Sequence, residues 1–140
     1  MSVIDNHFAL LDRLSGGKGH PLQAQQTAAL AVEYALEKKG FDLKLFDVRE
    51  LSSLTDFLLL VSGRSDRQVQ AIAENIRTQL KHQHRLMPLA VEGMEQGRWS
   101  LLDYGDLMIH VFQPQVRTFY DLEGLWSEAP EIELERSAAE

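Results

Sequence analysis

The chain contains no cysteine, fewer basic than acidic residues, and no long apolar run at its start. Without cysteine it has no disulfides, no cysteine-ligated zinc and no thiol chemistry, and nothing points to an oxidising compartment. The 14 basic against 21 acidic residues give a formal charge of -7, which argues against nucleic acid as the primary partner and favours a basic protein surface. The first residues are typical of neither a signal peptide nor a membrane-spanning helix. We therefore expect a soluble, cytoplasmic protein that binds no membrane.

Length and composition predict one globular domain between two terminal segments. A chain of 140 residues, 44% hydrophobic and 25% charged, can build one core but is too short for a second domain. The stretch SGGKGH, residues 15–20, is rich in glycine and is typical of a linker. We predict a flexible N-terminal extension over residues 1–20, a single domain over residues 21–127, and an acidic, disordered tail over residues 128–140.

Hydrophobic periodicity predicts an alternation of helices and strands. Pro21 is suited to begin a first helix, which basic residues and Gly40 end. FDLKLFDV alternates like a half-buried strand, whereas FLLLVS is continuously apolar, like a central strand covered on both faces. Ser65 and Gln68 then form a capping-box pattern at the start of a long amphipathic helix.

The second half of the chain continues the alternation. LMPLAVEG predicts a short edge strand, since its proline cannot donate to a sheet ladder, and WSLLDYGDLMIHVF predicts two further strands. Pro114 opens a final helix. This order predicts an α/β (α+β-like) protein with a mixed central sheet flanked by helices. The apolar side of the final helix is predicted to consist of Val116, Phe119, Tyr120, Leu122 and Trp126.

The stretch DYGD interrupts an apolar run with two aspartates. It predicts a tight hairpin, in which Gly105 supplies a positive φ and one aspartate accepts a hydrogen bond from a turn N–H. With Tyr104 at the tip, Asp103 and Asp106 would face each other with Cβ atoms about 5 Å apart. Like charges at that range repel by about 1 kcal/mol even in water. Because a turn needs only one acid, the second points to a contact with a basic partner.

Two further side chains flank these acids. Alternation places Trp99 on the face of Asp103, and His110 on the face of Asp106. Trp99 is either a core residue or an aromatic anchor of an interface. His110 is either a structural histidine bonded to a polar neighbour or an interface residue that the nearby carboxylate keeps protonated.

Four motifs occur in a fixed order between Thr55 and Ser127, within a match that covers about residues 23–127: TDFLLLVSGRSDRQVQAIAENI, PLAVEG, GRWSLLDYGDLMIHVF and VRTFYDLEGLWS. Together they resemble the ribosomal silencing factor family, also called the Iojap-like proteins. The resemblance implies a nucleotidyltransferase-like fold without transferase chemistry and without a cofactor. It also implies a translational repressor that binds the large ribosomal subunit through its protein fourteen and sterically blocks joining of the small subunit when nutrients are short.

The resemblance further implies where the partner binds. In the family, the contact surface includes the tryptophan and the acids of the hairpin. An exposed aromatic hairpin is also compatible with a homodimer off the ribosome. The matching positions are Trp99, Leu102, Asp103, Tyr104, Gly105, Asp106 and His110, with Arg117 and Tyr120 on the last helix.

The alternative from another class is a magnesium-dependent nucleotidyltransferase. Its chemistry needs two or three carboxylates that converge on magnesium, commonly two acids one residue apart. Active members of the fold carry that pair where this chain has Asn75-Ile76-Arg77-Thr78, and the hairpin acids are three residues apart. His82 and His84 would be splayed by about 200° on a helix, which indicates a solvated helix end. We therefore expect no catalytic residue and no metal site.

Overall fold

The structure, a computed structural model, describes residues 23–134, which form a mixed sheet of six strands with helices on both faces. This confirms the predicted fold class. The predicted N-terminal extension and Pro21 lie outside the described residues. None of the described helices is long and apolar enough to cross a membrane. The elements are α1 (Ala24–Glu37), β1 (Phe41–Asp47), β2 (Phe57–Ser62), α2 (Asp66–His84), β3 (Ala90–Glu92), β4 (Trp99–Asp103), β5 (Leu107–Phe112), α3 (Pro114–Tyr120), α4 (Leu122–Leu125) and β6 (Glu131–Ile132).

The strand order across the sheet is β3-β4-β5-β2-β1-β6. Strand β2 runs parallel to β5, and the other neighbouring pairs are antiparallel. All six residues of β2 are buried, as expected of a strand with one strand on each side and packing on both faces. Strand β3 pairs only with β4, which confirms the predicted edge position.

The helix face of the sheet is the side on which α1 and α2 pack. Helix α2 begins as its capping pattern predicts, because Ser65 Oγ accepts a hydrogen bond from the Gln68 N–H at 3.1 Å. Its apolar stripe and that of α1 close over the inward side chains of the strands. The strand residues of this core are Leu43, Leu45, Phe57, Leu59, Val61, Leu102, Leu107, Ile109 and Val111.

The opposite side, which we call the aromatic face, is covered in part by the segment from α3 to Ala129. The core there is smaller and contains Phe46, Leu58, Leu60 and Phe112. Trp126 packs against it, as predicted. The end of this face that lies over β4 and β5 remains open to solvent.

The final helix is not continuous, contrary to prediction. It breaks at Asp121, which has φ 48° and accepts a hydrogen bond at Oδ1 from the Gly124 N–H at 3.1 Å. Asp121 thus ends α3 and caps α4, since a short aspartate tolerates the left-handed conformation and can bond a nearby backbone N–H. Phe119, which was predicted on the apolar side of the helix, is 79% exposed.

The acidic tail is also partly ordered. Residues 131 and 132 form β6, which pairs with Leu45 and Phe46 of β1. The Asp47 N–H donates to the carbonyl of Pro130 at 2.9 Å, and Leu134 packs against the core. The prediction of disorder from residue 128 onward is therefore wrong for residues 128–134. That prediction was based on the acidic composition and did not consider Ile132 and Leu134, which pack against the core at this edge of the sheet.

Candidate protein-interaction surface

The hairpin forms, but its register differs from the prediction. Asp103 pairs with Met108, and the Tyr104 N–H donates to the carbonyl of Leu107 at 2.9 Å. The two loop residues are therefore Gly105, with φ +89°, and Asp106. Asp103 does not face Asp106, so the predicted repulsion between them does not arise.

Asp103 and Asp106 have different roles in this turn. Asp103 Oδ1 accepts a hydrogen bond from the Gly105 N–H at 2.8 Å, which is the turn-forming role. Asp106 is exposed. Partial burial, and the negative charge of Asp56 to a lesser degree, raise the pKa of the Asp106 carboxyl above its usual range. The carboxylate whose charge acts on Asp106 is thus that of Asp56, in the loop before β2. Together the two carboxylates make this end of the sheet acidic.

Two of the predicted contact residues lie on the helix face. Leu102 is fully buried in the main core. Tyr104 is not at the tip of the hairpin but packs in the same core with 9% of its surface exposed, and burial raises the pKa of its phenol to about 12. The reason is the period of the strand, since residues adjacent to Asp103 point to the opposite face. The structure does not bring Leu102 or Tyr104 to the surface that Trp99 occupies.

Trp99 is the centre of an aromatic cluster on the aromatic face. Its ring centroid lies 4.9 Å from that of Tyr120 and 5.8 Å from those of His110 and Phe112. Tilted arrangements at these distances are favourable for aromatic rings. Trp99 is half-buried, so its indole is held in place while part of it remains accessible.

A hydrogen bond fixes the indole further. Trp99 Nε1 donates to Nδ1 of His110 at 2.9 Å. An indole nitrogen can only donate, so Nδ1 carries no proton and the neutral ring carries it on Nε2. Burial lowers the pKa of His110 to about 4, and the imidazole is neutral at pH 7. Of the two alternatives for His110, the geometry favours the histidine bonded to a polar neighbour, which is the Trp99 indole. A ring kept protonated by a carboxylate is disfavoured, because desolvation lowers the pKa.

The loop before β4 is attached to α2 and thereby places Trp99. Gln70 Nε2 donates to the carbonyls of Met94 and Glu95 at 3.2 and 2.6 Å. Gly97 has φ +71°, and a Cβ at this position would lie 2.4 Å from the carbonyl oxygen of Asp66. Only glycine permits this close approach.

The accessible part of the cluster extends beyond the predicted residues. Phe119 packs edge-on against Tyr120 with ring centroids 5.0 Å apart, and Tyr120 is 53% exposed. Adjacent residues on a helix point about 100° apart, so the Phe-Tyr pair itself indicated that one ring would leave the core. Leu101 and Met108 of the same face are half-buried. We call this set the aromatic surface, and it consists of Trp99, Leu101, Met108, His110, Phe119 and Tyr120.

Arg117, a predicted contact residue, is an internal residue with 4% of its surface exposed. Its Nε donates to Glu123 Oε1 at 2.8 Å, and its Nη1 donates to Ser62 Oγ at 2.9 Å. A further bond from Nη1 reaches the carbonyl of Asp42 at 2.6 Å. Arg117 thus connects α3 and α4 to β1 and β2. The structure does not present it to a partner.

The described residues hold no group of three histidine, cysteine, aspartate or glutamate side chains that could bind a metal ion. The helix end predicted to be solvated is partly anchored, because His84 Nε2 and the Tyr34 hydroxyl lie 3.0 Å apart. The geometry therefore gives no support to the nucleotidyltransferase alternative. Fold and surface together define a small α/β module whose distinctive feature is an accessible aromatic patch on a rigid sheet, as in protein-interaction modules.

Comparison with known proteins gives the family. The model of the family described as "Ribosomal silencing factor during starvation" matches residues 21–140. A Halalkalibacterium halodurans protein named ribosomal silencing factor RsfS is 38% identical over 111 residues, which cover 79% of this chain and 94% of that protein. The chain belongs to the ribosomal silencing factor family, a family of regulatory proteins, and the resemblance seen in the sequence is confirmed.

Similarity extends to a solved structure and to a more distant relative. The X-ray crystal structure of a Chromobacterium violaceum protein matches with a TM-score of 0.73 and 34% identity, covering 85% of this chain and 98% of that one. The mouse protein named "Mitochondrial assembly of ribosomal large subunit protein 1" is 28% identical over 117 residues, which cover 82% of this chain and 51% of that protein.

Proposed function

We propose that this protein represses translation by binding the large ribosomal subunit through the aromatic surface, where it sterically blocks joining of the small subunit under nutrient limitation. The observation that carries the proposal is Trp99, an indole held by a hydrogen bond and three aromatic neighbours yet still accessible. The names of the relatives support a ribosomal role, and the name of the mouse relative supports the large subunit.

The aromatic surface has the properties of an interaction hot spot. Most of the energy of a protein interface comes from a few residues, with tryptophan and tyrosine prominent among them. Trp99 and Tyr120 are packed against each other before any partner arrives, so little side-chain entropy is lost when they are buried. Phe119, 79% exposed, adds apolar area that the protein itself leaves uncovered.

The acidic end of the same hairpin supports a basic partner. Asp106 and Asp56 lie next to each other at the end of the sheet where β5 begins, since the Asp56 N–H donates to the carbonyl of Asp106 at 3.2 Å. Complementary charge at the rim of an interface accelerates association and fixes orientation. We propose ribosomal protein fourteen of the large subunit as the partner, in accordance with the family resemblance.

Steric exclusion requires no catalytic group and no cofactor. A domain of this size has a radius of gyration of about 13 Å. Bound at the intersubunit face, it keeps apart two surfaces that must come into contact. Pairing of two copies through the same surface off the ribosome stays a prediction.

The test is cosedimentation of the purified chain with separated large subunits. Trp99→Ala should weaken binding about 30-fold or more, as expected of a hot-spot tryptophan, while far-ultraviolet circular dichroism shows a folded protein. Trp126→Phe is the control, because it alters the other tryptophan, which packs against the core at the end of α4 and has no ring contact with the Trp99 cluster. This variant should bind like the wild type.

Two outcomes would contradict the proposal. Unchanged binding of Trp99→Ala would show that the aromatic surface is not the contact. Normal joining of small subunits to large subunits saturated with the protein would show that binding does not block association.

A further inference from the structure

A row of cations runs along the C-terminal half of α2. Arg77 and Lys81 are four residues apart and therefore share one side of the helix, with His82 next to Lys81. Arg85 follows directly after the helix as its C-cap residue. We call these four residues the basic stripe. The formal net charge of the protein is -7, so this local group of cations has the opposite sign to the protein as a whole.

The basic stripe lacks acidic partners in the part of the chain that the structure describes. Of the other cations among residues 23–134, Lys44, Arg49 and Arg117 each form an ion pair with a carboxylate. The cations that, like the stripe, form none within this range are Lys38, Lys39, Arg64, Arg67 and Arg98. Among residues 23–134, no carboxylate lies within 4.0 Å of the cationic groups of the stripe. The nearest acid on the helix, Glu74, accepts a hydrogen bond from the Thr78 hydroxyl.

The helix dipole explains only part of this pattern. Cations in the last turn of a helix stabilise it, and Lys81 lies in the last turn of α2. The effect falls off within one turn. Arg77 lies seven residues before the end of the helix at His84, which is too far for this benefit.

The basic stripe borders a concavity of about 220 Å³. Residues of α2 line one side, and Met87 and Pro88 of the segment after α2 line the other. The residues of α2 are Arg77, Thr78, Lys81, His82 and one acid, Glu74. Pockets for whole small-molecule ligands are typically about 300–1,000 Å³. The concavity is thus small for a nucleotide, whereas a phosphate with part of its sugar needs less room.

The stripe and the aromatic surface adjoin the same edge of the sheet. Helix α2 packs against α1 and, within the sheet, mainly against β4, the strand that carries Trp99 on its other face. Between them lies the edge strand β3, preceded by Leu89, which is 77% exposed. A large partner that covers Trp99 can therefore reach the stripe around this edge.

We propose that the basic stripe binds an RNA phosphodiester backbone beside the protein partner. This inference rests on the proposed function and gives it a second contact, in which guanidinium and ammonium groups donate to phosphate oxygens. The net negative charge excludes nucleic acid as a partner of the whole surface but not of one local patch.

The first experiment measures binding of a labelled single-stranded RNA oligonucleotide to the full chain at low salt. Arg77→Glu combined with Lys81→Glu should abolish binding. The matched control is Lys38→Glu combined with Lys39→Glu, which changes the net charge by the same amount at exposed positions after α1 and should retain RNA binding. Equal binding by both double variants overturns the proposal.

The second experiment measures affinity for large subunits over a range of salt concentrations. Each phosphate contact contributes about 0.7–0.9 to the slope of log K against log salt. The stripe variant should therefore bind at least about tenfold more weakly at low salt and lose about 1.5 from the slope, unlike the control. A photoreactive residue in place of His82 should cross-link to RNA, and cross-linking to protein alone overturns the proposal.

The outcomes separate the two proposals. If Trp99→Ala abolishes subunit binding while the stripe variant behaves like its control, the proposed function stands and the stripe inference falls. If the chain binds RNA through the stripe but no large subunit, the RNA contact of the stripe stands, whereas the proposed function and the placement of that contact beside the protein partner fall.

Discussion

The two faces of the sheet differ in how far helices cover them. On the helix face, α1 and α2 cover the central strands, and Leu102, Leu107 and Ile109 have no exposed surface. On the aromatic face, α3 and α4 cover only the part over Phe46, Leu58 and Leu60. Residues of β4 and β5 beyond that cover remain half-buried.

The difference shows which face stabilises the fold and which is available for binding. Burial of apolar surface contributes roughly 25 cal/mol per Å², so the closed helix face supplies most of the stability. The open face leaves aromatic area exposed, and large exposed apolar patches on a folded protein mark interaction sites. Adjacent residues of one strand serve the two purposes, because their side chains alternate between the faces.

The largest effect should come from a neighbouring pair on β4. Leu102→Ala, on the closed face, should reduce the free energy of unfolding by about 2–5 kcal/mol, because it leaves a cavity in a packed core. Leu101→Ala, on the open face, should reduce it by less than about 1.5 kcal/mol, because the side chain is only half-buried. Urea unfolding at pH 7 measures both. Equal losses of unfolding free energy would show that the aromatic face contributes as much to stability as the helix face.

A smaller effect should appear on acidification. The pKa of His110 in the folded protein is about 4, below the value of about 6.5 in an unfolded chain. Between these values the unfolded chain binds more protons at this residue. The contribution of His110 to stability therefore falls as the pH decreases through this window and is constant above it. The loss is at most about 1.4 kcal/mol per pH unit.

His110→Asn is the matched variant for this prediction. Asparagine does not titrate, and its side-chain oxygen can accept the Trp99 indole N–H as Nδ1 does. Urea midpoints measured from pH 7 to pH 4 should fall more steeply for the wild type than for the variant. Parallel curves would mean that His110 is accessible to solvent in the folded protein, contrary to its burial in the structure.

The smallest effect on stability should come from the buried phenol of Tyr104 on the helix face. The Tyr104 hydroxyl is buried without a hydrogen-bond partner among residues 23–134, which costs free energy. Tyr104→Phe should therefore leave stability unchanged or raise it by up to about 1 kcal/mol, with no effect on binding to large subunits. Tyr120→Phe, at an exposed ring, is the control and should leave stability unchanged. A marked loss in Tyr104→Phe would reveal a partner for the hydroxyl.

Much of the fold could be predicted because its signals are local. The continuous apolar run of β2, the capping pattern of Ser65 and Gln68, and the proline before β3 each report on their own neighbourhood. The candidate site was predictable in part, since alternation placed Trp99 and His110 near each other on one face.

The errors lie where distant parts of the chain decide the outcome. The hairpin register follows from packing Tyr104 into the core beneath α2, which the DYGD motif does not encode. The family resemblance places Arg117 at the contact surface, but three of its hydrogen-bond acceptors come from β1, β2 and α4. The strand at residues 131 and 132 depends on the free edge of β1.

The sequence by itself determined the fold class, the family and the identity of the aromatic and acidic side chains, because periodicity and motifs are properties of short segments. The tertiary structure alone decided which of those side chains are accessible, which state of His110 supports Trp99, and where the cations of α2 meet a concavity. Accessibility and desolvation depend on everything packed around a group, and that environment is assembled from segments far apart in the chain.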